Sequence, residues 1–200
     1  MNIFYLDEDV DKCAEAHVDK HVTKMQLETA QMLSTNLWID EVLGYIPRKV
    51  NSDETAELRS AADAAGYPTS VRYRPCFFNH PCTIWMRESW ENFEFSLLLV
   101  YALESEAMWR GFNKHKSAAM VHQLPLPQNL PSKGFTKPRQ AMPEEFNNED
   151  SVKAYRDYYM GAKDHLAVYT RRSPPPWWTG VWTSGRNEEG IPDNRKILVT

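Results

Sequence analysis

The stretch HVDKHVTKMQLETAQ, residues 17–31, sets two His, a Lys, a Glu and a Gln along a single line at helical spacing. With His21 at zero on a wheel advancing about 100° per residue, Glu28, His17, Lys24 and Gln31 fall within roughly 80° on one side. Val18, Val22, Met25 and Met32 fall on the other side within roughly 100°. The ionisable line therefore borders an apolar arc instead of scattering over a wet face. A Lys24–Glu28 pair at i, i+4 on a solvated face is worth only tenths of a kcal/mol. The alternative is a cleft edge, where a carboxylate flanked by cations and apolar groups moves protons or stabilises a developing positive charge. The spacing alone leaves both readings open.

The helix carrying this line is expected to start at the acidic residues 7–9 and to run to about Leu43, acid at the start suiting the positive end of the helix dipole. Before it, NIFYL (2–6) reads as a short packed or extended segment. SDETAELRSAADAAG (52–66) reads as a helix capped by Ser52, and SVRYRPCFF (70–78) as extended. From Asn79 to Gly111 one long helix is expected, with Asn79 or His80 as cap and Pro81 in its first turn. It is apolar nearly all round, which marks a buried spine. A shorter helix follows near KHKSAAMVHQLPL (114–126). Residues 149–172 carry Val152, Tyr155, Tyr159, Ala162, Leu166 and Tyr169 at spacings of three and four, a helix with an aromatic seam ended by SPPPWW. The expected fold is all-α: one compact helical bundle over residues 1–178 with a buried central helix, and a loosely packed tail over 179–200.

The 200 residues suit a single domain, 42% of them hydrophobic and 12% aromatic. The net charge of −4 argues against an indiscriminate grip on nucleic acid, which calls for a basic surface. Local basic groups remain: Lys163 with Arg171 and Arg172, and Lys133 with Lys137 and Arg139. Three Cys, an odd number with no secretory leader in view, point to reduced thiols and a cytoplasmic home. The longest apolar run, residues 95–103, is far short of the ~20 residues a membrane span needs. Phosphate-binding glycine loops, nucleophile elbows and CxxC pairs are absent from the sequence, which removes most kinases, dehydrogenases, serine hydrolases and zinc ribbons.

With these motifs in hand, the chain resembles over its whole length a group of uncharacterised phage proteins. They share the NIF opening, a DKHVVKM-x-LE-x-AQ helix, an NHP…W helix, and later AMP-E and AYR-YY. More distantly, the two helical motifs are similar to the pyrimidine-dimer DNA glycosylase (endonuclease V) superfamily. Its bacterial branch has Lys-x-x-x-Glu-x-x-Gln-x-Leu, matched by Lys24, Glu28, Gln31 and Leu33. That branch continues with Asn-His-Pro, Trp and Arg, matched by Asn79, His80, Pro81, Trp85 and Arg87. Asp19, His21 and Glu28 match the phage enzyme's Asp-x-His with Glu seven residues on.

This resemblance implies a glycosylase/lyase, acting without metal or cofactor, in which an N-terminal amine, here that of Met1, attacks the sugar C1′. It implies that Glu28 handles protons and the cationic sugar, and that His21 and Lys24 hold phosphates. His17, Lys20, Gln31, Asn79, His80, Trp85, Arg87, Arg139 and Lys163 are the further candidates for contacting DNA or a nucleotide. The setting would be the cytoplasm of an infected bacterial host. In this chain Leu27 precedes Glu28 where the family has Arg, and Asn2 favours retention of Met1. Two other readings stand beside the enzyme: a protein that sequesters a small nucleotide, and a helical partner-binding protein. Entry of Lys24, Glu28 and His80 into one closed site separates the first two from the last.

Overall fold

Asp9 starts the first helix, α1 (Val10–Glu15), with its carboxylate accepting the Asp11 and Lys12 amides. The structure, a computed structural model, describes residues 1–66, 72–185 and 196–199. The expected single helix breaks after Glu15. Val18 is extended (φ −64°, ψ 155°) and precedes α2 (Asp19–Leu43) with no side-chain cap of its own. The Val18 amide is satisfied from a distance, by the Tyr159 hydroxyl at 3.0 Å. That tertiary bond is why local pattern does not reveal the break. His17 thus sits in the joint, outside the helix, and is wholly buried there. Gly44 ends α2 at φ 69°, the left-handed conformation that glycine adopts without strain.

Helix α3 (Ser52–Ala64) is capped one residue earlier than expected. Asn51 and Glu54 form a reciprocal capping box. The long helix expected over residues 79–111 is two helices, α4 (Pro81–Met86) and α5 (Trp90–Trp109). Ser89, whose side chain accepts the Asn92 amide, restarts it. The Arg87 side chain fixes the corner by donating to the carbonyls of Pro47, Phe78 and Arg48. Two further helices follow, α6 (Lys116–Val121) and α7 (Ser151–Lys163).

The chain is mostly helical, but it is not all-α. Three strands form a small sheet in the order β1 (Val168–Tyr169), β2 (Gly180–Ser184) and β3 (Lys196–Val199). β1 pairs parallel with β2 (Val168 opposite Thr183), and β2 pairs antiparallel with β3 (Val181 opposite Leu198). The helical seam expected to reach Tyr169 stops at Lys163. After a turn of 3-10 helix, Tyr169 is instead a strand residue packed on Trp178 and Trp182. β2 falls inside the stretch read as a loose tail, and its Trp182 is buried in the core. Residues 186–195 of that stretch lie outside the described residues.

The central helix is α2 rather than the apolar α5. From Met32 to Asp40 every α2 residue is buried, while α5 turns Leu98 and Met108 to solvent. Neighbours satisfy Thr35 and Asp40 in this buried stretch. Thr35 bonds the Cys76 backbone in both directions, and the Asp40 carboxylate takes the Gln128 and Asn129 amides at 2.8 and 2.7 Å. Burying them also fixes the register of the 72–78 and 126–130 segments against α2. Among the described residues no helix is long and apolar enough to cross a membrane.

Candidate active site

Asn2 shapes the site's first wall. Its side-chain oxygen accepts the amides of Ile3 (2.8 Å) and Phe4 (3.2 Å), and its Nδ2 donates to the Ala141 carbonyl at 3.0 Å. The turn puts Phe4 at φ 43°, which costs an L-residue roughly 1–2 kcal/mol. The Phe4 ring recovers contact by stacking on His21, centroids 4.7 Å apart and planes 18° apart. This kink lays the chain start against α2.

There the Asn2 backbone amide donates to Glu28 Oε2 at 2.9 Å, and the Met1 ammonium lies 3.9 Å from the same oxygen. Lys24 Nζ, one turn earlier on α2, is 3.0 Å from Glu28 Oε1. The carboxylate is only 13% exposed, against 54% for the lysine. Glu28 is therefore a largely sheltered anion held by an amide and two cations, not half of a loose surface pair.

His80 completes the group. Its Nδ1 caps α4 by accepting the Cys82 amide at 3.2 Å. Its pKa is lowered first by burial and next by the Met1 ammonium, while Glu28 and a hydrogen bond to the Met1 backbone pull the other way. A neutral imidazole beside the amine results. Four of the expected residues, Met1, Lys24, Glu28 and His80, thus come together from three parts of the chain.

The other candidates divide. His21 faces the core side of α2, and its Nδ1 is 2.8 Å from the Tyr159 hydroxyl. That hydroxyl already accepts the Val18 amide, so its proton goes to His21, and the neutral ring carries its own proton on Nε2. The His21 pKa falls to about 3 through burial first, then repulsion from His17, Lys24, Lys163 and Lys20. His17 likewise drops to about 4, mainly by burial, with Nδ1 on the Cys13 carbonyl at 2.7 Å. Phosphate binding by a cationic His at neutral pH does not fit either ring. Lys20 and Lys24 lie on α2, and Lys163, the last residue of α7, sets its Nζ 5.1 Å over the Tyr158 ring, which stacks on Phe4; all three disfavour a charge on His21. Gln31 is half-buried one turn from Glu28.

Asn79, Trp85 and Arg87 build the corner and leave their polar groups occupied. Asn79 pairs both ways with the Val50 backbone, Trp85 is buried with Nε1 on the Thr136 carbonyl, and Arg87 is spent on three carbonyls. Arg139 is ion-paired with Glu88. Asp19, the first residue of the Asp-x-His match, is bound to Arg110 and Thr170, joining helix to sheet. Arg172 grips Glu106 with two nitrogens, which offsets its charge, and Arg171 donates to the Trp109 carbonyl.

Phe77 is a surface aromatic that the sequence pattern does not single out. It is a non-glycine residue at φ 52°, its side chain is 59% exposed, and its carbonyl accepts the His80 amide. Cys76 beside it is bonded to Thr35, seven residues along α2 from Glu28 and so about 10 Å further on. The Asn79–Val50 pairing sets the exposed Arg48 and Lys49 next to this turn. A lone FF dipeptide carries no signal that one ring will be held outward.

Among the described residues no group of three His, Cys, Asp or Glu side chains is placed to hold a metal ion. Cys13 and Cys82 are buried with thiol pKa values pushed up to about 11, burial being the main cause, which makes them poor nucleophiles. No family model, curated protein or solved structure matches the chain.

Proposed function

We propose that this protein is a DNA glycosylase/lyase-like enzyme acting at the sugar–base linkage of damaged or modified DNA. One observation carries the reading: an N-terminal amine 3.9 Å from a sheltered carboxylate, with a neutral histidine alongside. In this chemistry the amine nitrogen adds to C1′ as the glycosidic bond leaves with its electron pair on the base. Glu28 takes the proton the amine must lose and steadies the cationic sugar. Opening of the sugar ring then gives an iminium. Lys20, Lys24 and Lys163 supply phosphate contacts, and the outward Phe77 ring, with Arg48 and Lys49, supplies a stacking platform for an extruded or neighbouring base.

Sequestration of a small nucleotide is the competing reading. The lysines would serve it as well, but a sheltered carboxylate facing the amine works against an anionic ligand.

The test is incubation with duplex DNA, ultraviolet-irradiated or carrying an abasic site, followed by borohydride. Reduction of the iminium leaves a covalent protein–DNA adduct at the N-terminal peptide. Chemical blocking of the α-amine abolishes it. Folded protein that gives no adduct on either substrate overturns the proposal.

A further inference from the structure

On another part of the surface, the Tyr5 ring, only 4% exposed, lines a cavity of about 670 Å³ together with Phe95 and Phe135. The three rings pack as a cluster, with centroids 5.4 Å apart for Tyr5–Phe95, 5.3 Å for Phe95–Phe135 and 6.0 Å for Tyr5–Phe135. Phe135 is 44% exposed, so the aromatic wall opens to solvent. Among the described residues no group hydrogen-bonds the Tyr5 hydroxyl. That hydroxyl reaches the solvent side of the cavity, where it is free to accept from a donor.

Charge indicates the donor. Glu8, Glu149 and Asp150 stand around the opening, with Lys137 as the cation among the lining residues. Lys137 is already turned to the Glu149 carbonyl. Among the described residues the carboxylates of Glu8 and Glu149 have no hydrogen-bond or ion-pair partner. Asp150 uses one oxygen to cap α7. The field of Glu8 and Asp150 reaches the phenol: the Tyr5 pKa rises to about 12 through burial first, then Glu8, Cys13, Asp7 and Asp150. The carboxylates do not converge as a metal-binding set, whereas π-faces beside carboxylates suit an ammonium on an apolar stem.

We propose that this cavity binds a linear aliphatic polyamine, its methylenes on the Phe95 and Phe135 rings and its ammonium groups on the Tyr5 hydroxyl and the acids of segments 8 and 149–150. Acids from two separate segments favour several spaced ammonium groups over a single one. The inference is independent of any chemistry at the chain start.

Calorimetric titration of the full chain with spermidine in 0.15 M salt, roughly an 8 Å screening length, tests it. One-site saturable binding is expected. Glu8 and Glu149 are exposed, so E8Q/E149Q keeps the fold, checked by its melting curve, and weakens binding at least about tenfold. Tyr5→Phe keeps the ring and costs about threefold to tenfold; Phe135→Ala, at an exposed position, costs a similar factor if Tyr5→Phe misfolds. Absence of saturable binding, or equal affinity in E8Q/E149Q, overturns the proposal, since attraction to the −4 chain as a whole would survive it. Nα-acetyl-lysine amide is expected to bind at least about tenfold more weakly than spermidine. The reverse order overturns the polyamine in favour of a protein lysine.

Discussion

The Asn2 amide nitrogen lies 2.9 Å from Glu28 Oε2, closer than the Met1 ammonium at 3.9 Å. A chain shortened by Met1 would carry its α-amine where that amide now sits. Protein prepared to begin at Asn2, verified by intact mass, is expected to trap abasic DNA at least as fast as protein beginning at Met1. A non-cleavable N-terminal extension is expected to abolish trapping in both. Equal trapping by the extended protein would place the nucleophile elsewhere.

Glu28→Gln keeps the Asn2 hydrogen bond through the amide oxygen but removes the proton acceptor. Turnover on damaged duplex should fall about 10²–10⁴-fold, the range of a lost acid–base group. The midpoint of urea unfolding should move little, because the Lys24 partner is exposed and such pairs contribute at most about 1 kcal/mol. A parallel collapse of both quantities would recast Glu28 as a structural residue.

His17 and His21 make stability depend on pH with a definite sign. Both are neutral when folded, with pKa values near 4 and 3, against about 6.5 unfolded. Below pH 6.5 the unfolded chain takes up protons that the folded one refuses. Stability is therefore complete above that pH and drains away as pH falls towards 4. Each ring accounts for on the order of 2 kcal/mol between pH 7 and 5. Urea titrations at pH 7, 6 and 5 should show the drop, with a shallower slope in His21→Gln. A flat profile over that interval contradicts the burial argument.

Arg110 has no exposed side-chain surface and bonds Asp19, Glu106 and the Glu15 carbonyl. Arg110→Met leaves two sheltered carboxylates without this partner and is expected to destabilise by about 3–5 kcal/mol in equilibrium unfolding. Asp19→Asn should destabilise less, since Thr170 can still donate to an amide oxygen. Unchanged stability in both variants would remove Asp19 and Arg110 from the joint between helix and sheet.

Phe77→Ala is expected to weaken single-stranded DNA binding by about 1–3 kcal/mol, the range for one lost stacking platform. Phe77→Gly relieves the positive φ and should not lower the melting temperature. Unchanged affinity in both variants removes Phe77 from the DNA surface.

Much of the helical frame is written in local pattern. Pro81 marks α4, and the Val152–Tyr155–Tyr159 spacing marks α7. The line Lys24–Glu28 follows from the wheel because both residues lie well inside one helix. What the sequence hides depends on tertiary partners, some of them more than a hundred residues away. The joint at Val18 rests on Tyr159, and His21 turns inward for the same hydroxyl. Ser89 could have been read as a cap, but an unbroken apolar pattern outweighed it. The strand at Tyr169 forms because it meets β2, although its spacing fits a helix. Neighbouring Lys24, Glu28 and His80 were legible as candidates; the kink at Asn2 and Phe4 that delivers the amine was not, since an Asn near a chain start has many uses.

The bonds that seat the chain start reach far along the chain: Asn2 to Ala141, Leu6 to Arg156, Ala16 to Tyr169. On the ribosome, residues 1–6 are made well before residues 141–169, which build much of their resting place. The amine therefore stays unplaced through most of synthesis, and local helices must wait for late loop closures that slow folding. Premature termination anywhere before residue 170 would release helices whose first segment lacks part of its seat.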